Sequence, residues 1–182
     1  MAKRIVFLDR DGVINRNAPE GEYIIRNEQM ILLPGAAQAV KRLNELGFAV
    51  IVVTNQRCVS MGQISEKGVD SLHEYMLGLL SAEGARIDDI FYCPHSLEDK
   101  CFCRKPQPGM LLAGLQKFKA EAADCFMVGD SYRDIKAGRL LGVPTILVGW
   151  KPGDDPLHSQ WQAADLAGAV DIIERESGVK SK

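Results

Sequence analysis

Five short apolar runs rich in β-branched residues set the architecture of this chain: Arg4 to Leu8, Phe48 to Val53, Ile87 to Tyr92, Phe126 to Val128 and Thr145 to Val148. Continuous rather than alternating apolar character suits strands covered on both faces, as in a parallel sheet. Segments of helical period lie between them. Ala36 to Leu46 puts Ala36, Ala39, Val40, Leu43 and Leu46 on one face and stops at Gly47, a favoured residue just past a helix end. Ser65 to Ala82 opens on a capping serine and carries Val69, Leu72, Met76, Leu79 and Leu80. Further helices fit Met110 to Lys119 and Asp134 to Leu141. Strand and helix alternating through short turns predicts right-handed crossovers, and therefore an α/β fold with a doubly wound, mostly parallel open sheet.

At 182 residues the chain suits one domain, spanning 1–182. Two connections exceed plain turns, Asp9 to Pro34 and Cys93 to Pro108, and loops of that length are usually functional. Asn17 to Arg26 is too short for a folded cap domain, although Glu20, Glu22 and Tyr23 are placed to line a mouth. The polar tail SGVKSK is expected to fray.

The net charge of -2 lacks the excess Lys and Arg of a nucleic-acid binder, so phosphate recognition here must be local. The apolar run before Asp9 is too short for a signal-peptide core or a membrane span, which predicts a cytoplasmic protein without membrane contact. The chain is expected to act as a monomer.

The chemistry is expected at the carboxyl ends of the strands, where open α/β sheets bind ligands. Asp9 and Asp11 directly follow the first run. Residues two apart in extended chain point the same way, and Gly12 permits a sharp turn beside them. Two such carboxylates invite a hard cation such as Mg²⁺, which commonly binds through few protein carboxylates plus a substrate phosphate. Asp130, one glycine after the fourth run, is the expected further ligand, with Asp134 one helical turn on. Thr54 and the amides of Asn55 and Gln56 supply candidate phosphate donors, and Arg104 and Lys105 sit in a loop pinned by Pro106 and Pro108.

Cys93, His95, Cys101 and Cys103 offer three sulfurs and one imidazole, a full tetrahedral set for a structural Zn²⁺ that would tie down residues 93–108. The bland readings are incidental buried thiols beside an exposed His95, or a disulfide, which a reducing cytosol disfavours. Cys58 and Cys125 read as core cysteines, and His73 and His158 as structural or solvated.

In order along the chain, DRDG, VVTNQ, RKP and GDSYRD resemble the four motifs of the haloacid dehalogenase superfamily. The resemblance implies Asp9 as nucleophile and Asp11 as general acid and then base. It implies Thr54 and Lys105 as phosphoryl-orienting groups, and Mg²⁺ held by Asp9, Asp130 and the backbone carbonyl of Asp11. An acid at position 11 is what separates the phosphatases of this family from its dehalogenases. The cysteine cluster and CRKP narrow the resemblance to a branch containing heptose bisphosphate and histidinol-phosphate phosphatases. RKPQPGMLL looks more like the former, which remove the 7-phosphate of D-glycero-D-manno-heptose 1,7-bisphosphate. Where that branch often reads TNQSGIARG, this chain reads TNQRCVSMG. A bisphosphate needs a second anion site, for which Arg57, Arg104 or Arg16 are candidates. Two rivals stand beside the enzyme: a phospho-accepting receiver domain, whose Asp, Thr and Lys occur in another order, and a zinc-dependent nucleic-acid module, which lacks its basic stripe here.

Overall fold

In the computed structural model, which describes residues 3–150 and 158–179, β1 (Ile5–Leu8) is buried along its whole length. Successive side chains of a strand point to opposite faces. Val6 and Leu8 thus enter one apolar core with Val50, Val52, Phe126 and Val128, while Ile5 and Phe7 enter a second with Ile51, Val53 and Met127. Both faces of the sheet are therefore covered, as the apolar runs require.

Among the described residues six parallel strands run in the order β3-β2-β1-β4-β5-β6. After β1 come α1 (Ala36–Glu45), β2 (Ala49–Asn55), α2 (Glu66–Ala82) and β3 (Asp89–Cys93). Then follow α3 (Gly109–Phe118), β4 (Phe126–Gly129), α4 (Tyr132–Leu140), β5 (Thr145–Val148), β6 (Trp161–Ala163) and α5 (Leu166–Ser177). Helices α1, α2 and α5 cover the first face and α3 and α4 the second, which makes the sheet doubly wound. The chain moves outward from β1 through β2 and β3, then returns to place β4 on the other side of β1. Crevices form at such reversals of strand order, beyond the carboxyl ends of the strands.

The differences from expectation have local causes. The sequence reading assigns nothing beyond Val148, whereas the structure adds β6 and α5. Helix α5 carries ordinary signals: Asp165 caps it by accepting from the Gly168 N–H at 2.9 Å, Leu166, Ala169, Val170 and Ile173 are buried, and Gly178 closes it with positive φ. Of the tail expected to fray, Ser177 ends this helix and Val179 packs against the core, while residues 180–182 lie outside the described residues. Helix α4 starts at Tyr132 because Ser131 and Asp134 cap its first turn: the Ser131 N–H and hydroxyl donate to Asp134 Oδ2 at 3.1 and 2.7 Å. Residues 9–34 form no separate cap; Val13, Ile14, Ile24 and Met30 anchor that segment in the core. Among the described residues no helix is long and apolar enough to cross a membrane.

Candidate active site

A cavity of about 440 Å³ opens beyond the carboxyl ends of β1, β2 and β4. Asp9, Asp11, Thr54, Lys105 and Asp130 line it together, and Asn55, Gln56, Arg57 and Arg104 join them. Asn17, Glu22 and Tyr23 form part of its mouth; Glu20 and Arg16 are exposed and stand outside the lining.

Asp9 leaves β1 with its N–H bonded to the Val128 carbonyl of β4 at 3.0 Å, and its Oδ1 accepts from the Arg10 N–H at 2.7 Å. Carboxylates of Asp9, Asp130 and Asp134 can bring one oxygen each within 4.8 Å of one another. Burial, with repulsion from Asp134, pushes Asp9 up to about 8 against the pull of Lys105. Asp130 is raised for the same reasons, burial first, and Asn17 Nδ2 opposes this by donating to its Oδ2 at 3.0 Å. Crowded, partly dehydrated oxygens of this kind are the donor set a hard dication satisfies. Glycines make the crowding possible: a side-chain carbon on Gly12 would overlap Asp130 Oδ2, and one on Gly129 would overlap Asp134.

Lys105 is buried, with Nζ 2.9 Å from Asp9 Oδ1, 2.6 Å from Asp134 Oδ1 and donating to the Val53 carbonyl at 2.7 Å. Burial opposes its charge, but the two carboxylates outweigh burial and raise its pKa. Asp134 is fully buried, and it serves as a partner of both the cation and the helix cap. Thr54 Oγ1 accepts from Gln56 Nε2 at 2.9 Å, which leaves the hydroxyl proton available to an anion in the cavity.

The amides of Asn55 and Gln56, expected as phosphate donors, also make hydrogen bonds within the protein. Asn55 donates to the Lys105 carbonyl and accepts from its N–H, each at 3.0 Å. Gln56 bonds Thr54, Asp11 and Arg10. Both line the cavity through what they hold. Arg57 and Arg104 each leave Nε buried without a hydrogen-bond partner, and among the described residues neither is ion-paired; Arg104 Nη1 donates to the His95 carbonyl at 3.3 Å.

Asp11 is gripped by Arg10, whose Nε and Nη2 reach its carboxylate at 2.9–3.1 Å. Burial would raise Asp11, but Arg10 and the hydrogen bonds from Asn15 and Gln56 outweigh it and hold the carboxyl below its usual range. His73, read from sequence as structural or solvated, is buried with Nε2 3.3 Å from Arg10 Nη1; burial and then Arg10 push it down to about 3. Sequence reasoning passed over Arg10, Asn17 and the Trp150 indole, which donates to the Asp130 carbonyl at 2.9 Å. Only Arg10 had a signal to follow, a charge inside the DRDG motif itself.

Cys93, His95, Cys101 and Cys103 converge, with five of the six pairs among their Sγ and Nδ1 atoms 3.2 to 3.6 Å apart and all within 4.8 Å. Ligands at zinc-bond lengths from a tetrahedral centre stand about 3.5–3.8 Å apart, so the cluster is a few tenths of an ångström tighter than a zinc-bound set and would open slightly to take the ion. None of the three cysteines is in a disulfide; burial pushes Cys93 up to about 12, whereas at Cys101 hydrogen bonds from the neighbouring sulfurs outweigh burial and hold the thiol below its usual range. Cys93 closes β3 opposite Asn55 of β2 and accepts from the Gln56 N–H through its carbonyl at 2.8 Å, which ties this cluster to the catalytic edge.

The haloacid dehalogenase-like hydrolase family matches residues 1–142. The chain is 41% identical to D-glycero-beta-D-manno-heptose-1,7-bisphosphate 7-phosphatase of Rhodopseudomonas palustris, over 76% of this chain and 79% of that one. It is 33% identical to the Pseudomonas putida protein of the same name, over 85% and 87%. Its structure is similar to that of D,D-heptose 1,7-bisphosphate phosphatase from B. bronchiseptica, crystallised with magnesium and phosphate. That match has a TM-score of 0.87 and 31% identity, and covers 95% of this chain and 99% of that one. With the motif order, the strand-end cavity and these relatives in agreement, the chain belongs to the haloacid dehalogenase-like hydrolases.

Proposed function

We propose that this chain is a magnesium-dependent phosphatase that removes the 7-phosphate of D-glycero-D-manno-heptose 1,7-bisphosphate through a phospho-aspartyl intermediate on Asp9. The observation that carries the reading is the buried Lys105 ammonium, fixed between Asp9 and Asp134 at the floor of a cavity that also gathers Asp11, Thr54 and Asp130. Asp9, Asp130 and the Asp11 backbone carbonyl would hold Mg²⁺, which would supply charge neutralisation at the phosphoryl oxygens. An Asp9 carboxylate oxygen attacks phosphorus while the bond to the sugar oxygen breaks, and Asp11, once it has taken up a proton against the pull of Arg10, gives it to that oxygen. Asp11 then takes a proton from water as the water oxygen attacks phosphorus, the bond to Asp9 breaks and phosphate leaves. Lys105 and the Thr54 hydroxyl orient the phosphoryl oxygens throughout, with Asn55 indexing Lys105 to β2.

The free edges of Arg57 and Arg104 suit the second phosphate of a bisphosphate. Zinc on Cys93, His95, Cys101 and Cys103 would fix the loop that presents Arg104 and Lys105. The reading takes residues 1–182 as one domain acting as a monomer in the cytoplasm, without nucleic-acid or membrane partners. Phosphate release with Mg²⁺ from both anomers of the heptose bisphosphate, histidinol phosphate and a set of hexose phosphates tests it. Preference for the heptose bisphosphate is expected; faster turnover of histidinol phosphate would overturn the substrate, and no turnover of any phosphate ester would restore the phospho-accepting switch.

A further inference from the structure

Arg10 and His73 have no part in the chemistry above, yet both are buried beside it. Arg10 is the largest fully buried side chain among the described residues. A guanidinium only donates, and a charge removed from water is costly unless its donors are answered. Here they are. Nε and Nη2 go to Asp11, Nη2 also reaches Gln56 Oε1 at 3.2 Å, and Nη1 faces His73 Nε2 at 3.3 Å. Because the arginine can only donate, His73 Nε2 accepts and the ring proton is assigned to Nδ1. The imidazole is itself held edge-on to Tyr92, ring centres 5.4 Å apart. Helix α2 thereby reaches the site through one locked arginine.

The two oxygens of Asp11 are not equivalent under this grip. Oδ1 accepts from Arg10 Nε at 3.1 Å, Arg10 Nη2 at 3.0 Å and Asn15 Nδ2 at 2.8 Å. Oδ2 accepts from Arg10 Nη2 at 2.9 Å and, over a long 3.3 Å, from Gln56 Nε2, which sits closer to Thr54 Oγ1 at 2.9 Å. Oδ1, with three donors around it, one of them shared with Oδ2, has less room for a proton than the more lightly held Oδ2. We propose that Arg10, locked by His73, is a positioning residue that anchors Asp11 by Oδ1 and leaves Oδ2 as the oxygen that exchanges the proton. The Oδ2–H bond breaks as the departing oxygen gains its proton, and forms again when the attacking water gives one up. This rests on Asp11 being the acid and base of the proposed reaction.

Leaving-group dependence tests it without the natural substrate. Phenolate needs a proton on departure more than p-nitrophenolate does, so kcat and KM are compared for phenyl phosphate and p-nitrophenyl phosphate with Mg²⁺. Asp11→Asn is the control: a loss no larger on phenyl phosphate would mean that Asp11 is not the acid, and both readings of it would fall. Given a selective loss there, Arg10→Lys should lower kcat on phenyl phosphate about tenfold more than on p-nitrophenyl phosphate, with KM changed less than about twofold. His73→Phe should do the same about threefold, and His73→Gln, which keeps an acceptor, should recover most of it. Equal losses on both esters in the folded variants, or no loss, would overturn the positioning role. Should Arg10→Lys fail to fold, the His73→Phe and His73→Gln pair decides alone, by the same criterion.

Discussion

Lys105 Nζ stands 2.6 Å from Asp134 Oδ1, and solvent reaches neither side chain to any useful extent. A pair this secluded depends on both members, since removing one leaves the other charge uncompensated. Lys105→Met would abandon Asp134 and Asp9 to each other. The expected result is a stability loss of about 3–5 kcal/mol in urea denaturation, together with loss of phosphate release.

Asp9→Asn makes the opposite prediction for stability. It removes a carboxyl that burial and Asp134 already disfavour as an anion. Hydrolysis should vanish, while the melting temperature in EDTA at pH 8.5 should equal or exceed that of the wild type. A variant that melts lower would contradict the crowding.

The raised Asp9 also fixes the sign of a pH effect. Its pKa in the folded protein, about 8, lies above its ordinary 3.8, so its contribution is fully present below about pH 4 and fades as pH rises through 8. Metal-free protein should therefore melt lower at pH 8.5 than at pH 6. Mg²⁺ must displace that proton, so its affinity by calorimetry should strengthen up to roughly tenfold per pH unit between 6 and 8.

Elemental analysis should find one zinc per chain, bound where Cys93, His95, Cys101 and Cys103 meet. Cys101→Ser should lose the metal, lower the melting temperature and slow turnover, because Arg104 and Lys105 directly follow Cys103. A metal-free wild type with full stability would remove this account of the loop.

Arg57→Ser should raise KM for the heptose bisphosphate about tenfold and leave KM for a monophosphate unchanged, as expected for one lost charge-assisted contact to a second phosphate. Equal shifts for both would place Arg57 elsewhere.

Asp9, Asp11, Thr54, Lys105 and Asp130 were readable because each stands at or just past a strand or motif whose position is set by apolar burial. The same rule made the doubly wound sheet legible. Arg10 was passed over because strand alternation would send it away from Asp9 and Asp11, whereas in the fold it grips the Asp11 carboxylate. Its partners His73 and Gln56 lie 63 and 46 residues away, and Asn17 lies 113 residues from Asp130, separations that leave no periodic trace. Strand β6 is three residues long, too short for a pattern, whereas α5 was plainly spaced and capped and was recoverable from the sequence. The engagement of the Asn55 and Gln56 amides depends on neighbours that only folding supplies.

The two-bond clip of Asn55 on Lys105 anchors the far end of the 93–108 loop to the sheet, and Cys93 anchors the near end in β3. Between those fixed points the tip at 97–100 is exposed, and Leu97 alone of the four leans over the cavity. Insertions and deletions there would resize the entrance while the reacting groups keep their coordinates. That gives descendants of this scaffold a way to trade one cargo for another without relearning the reaction.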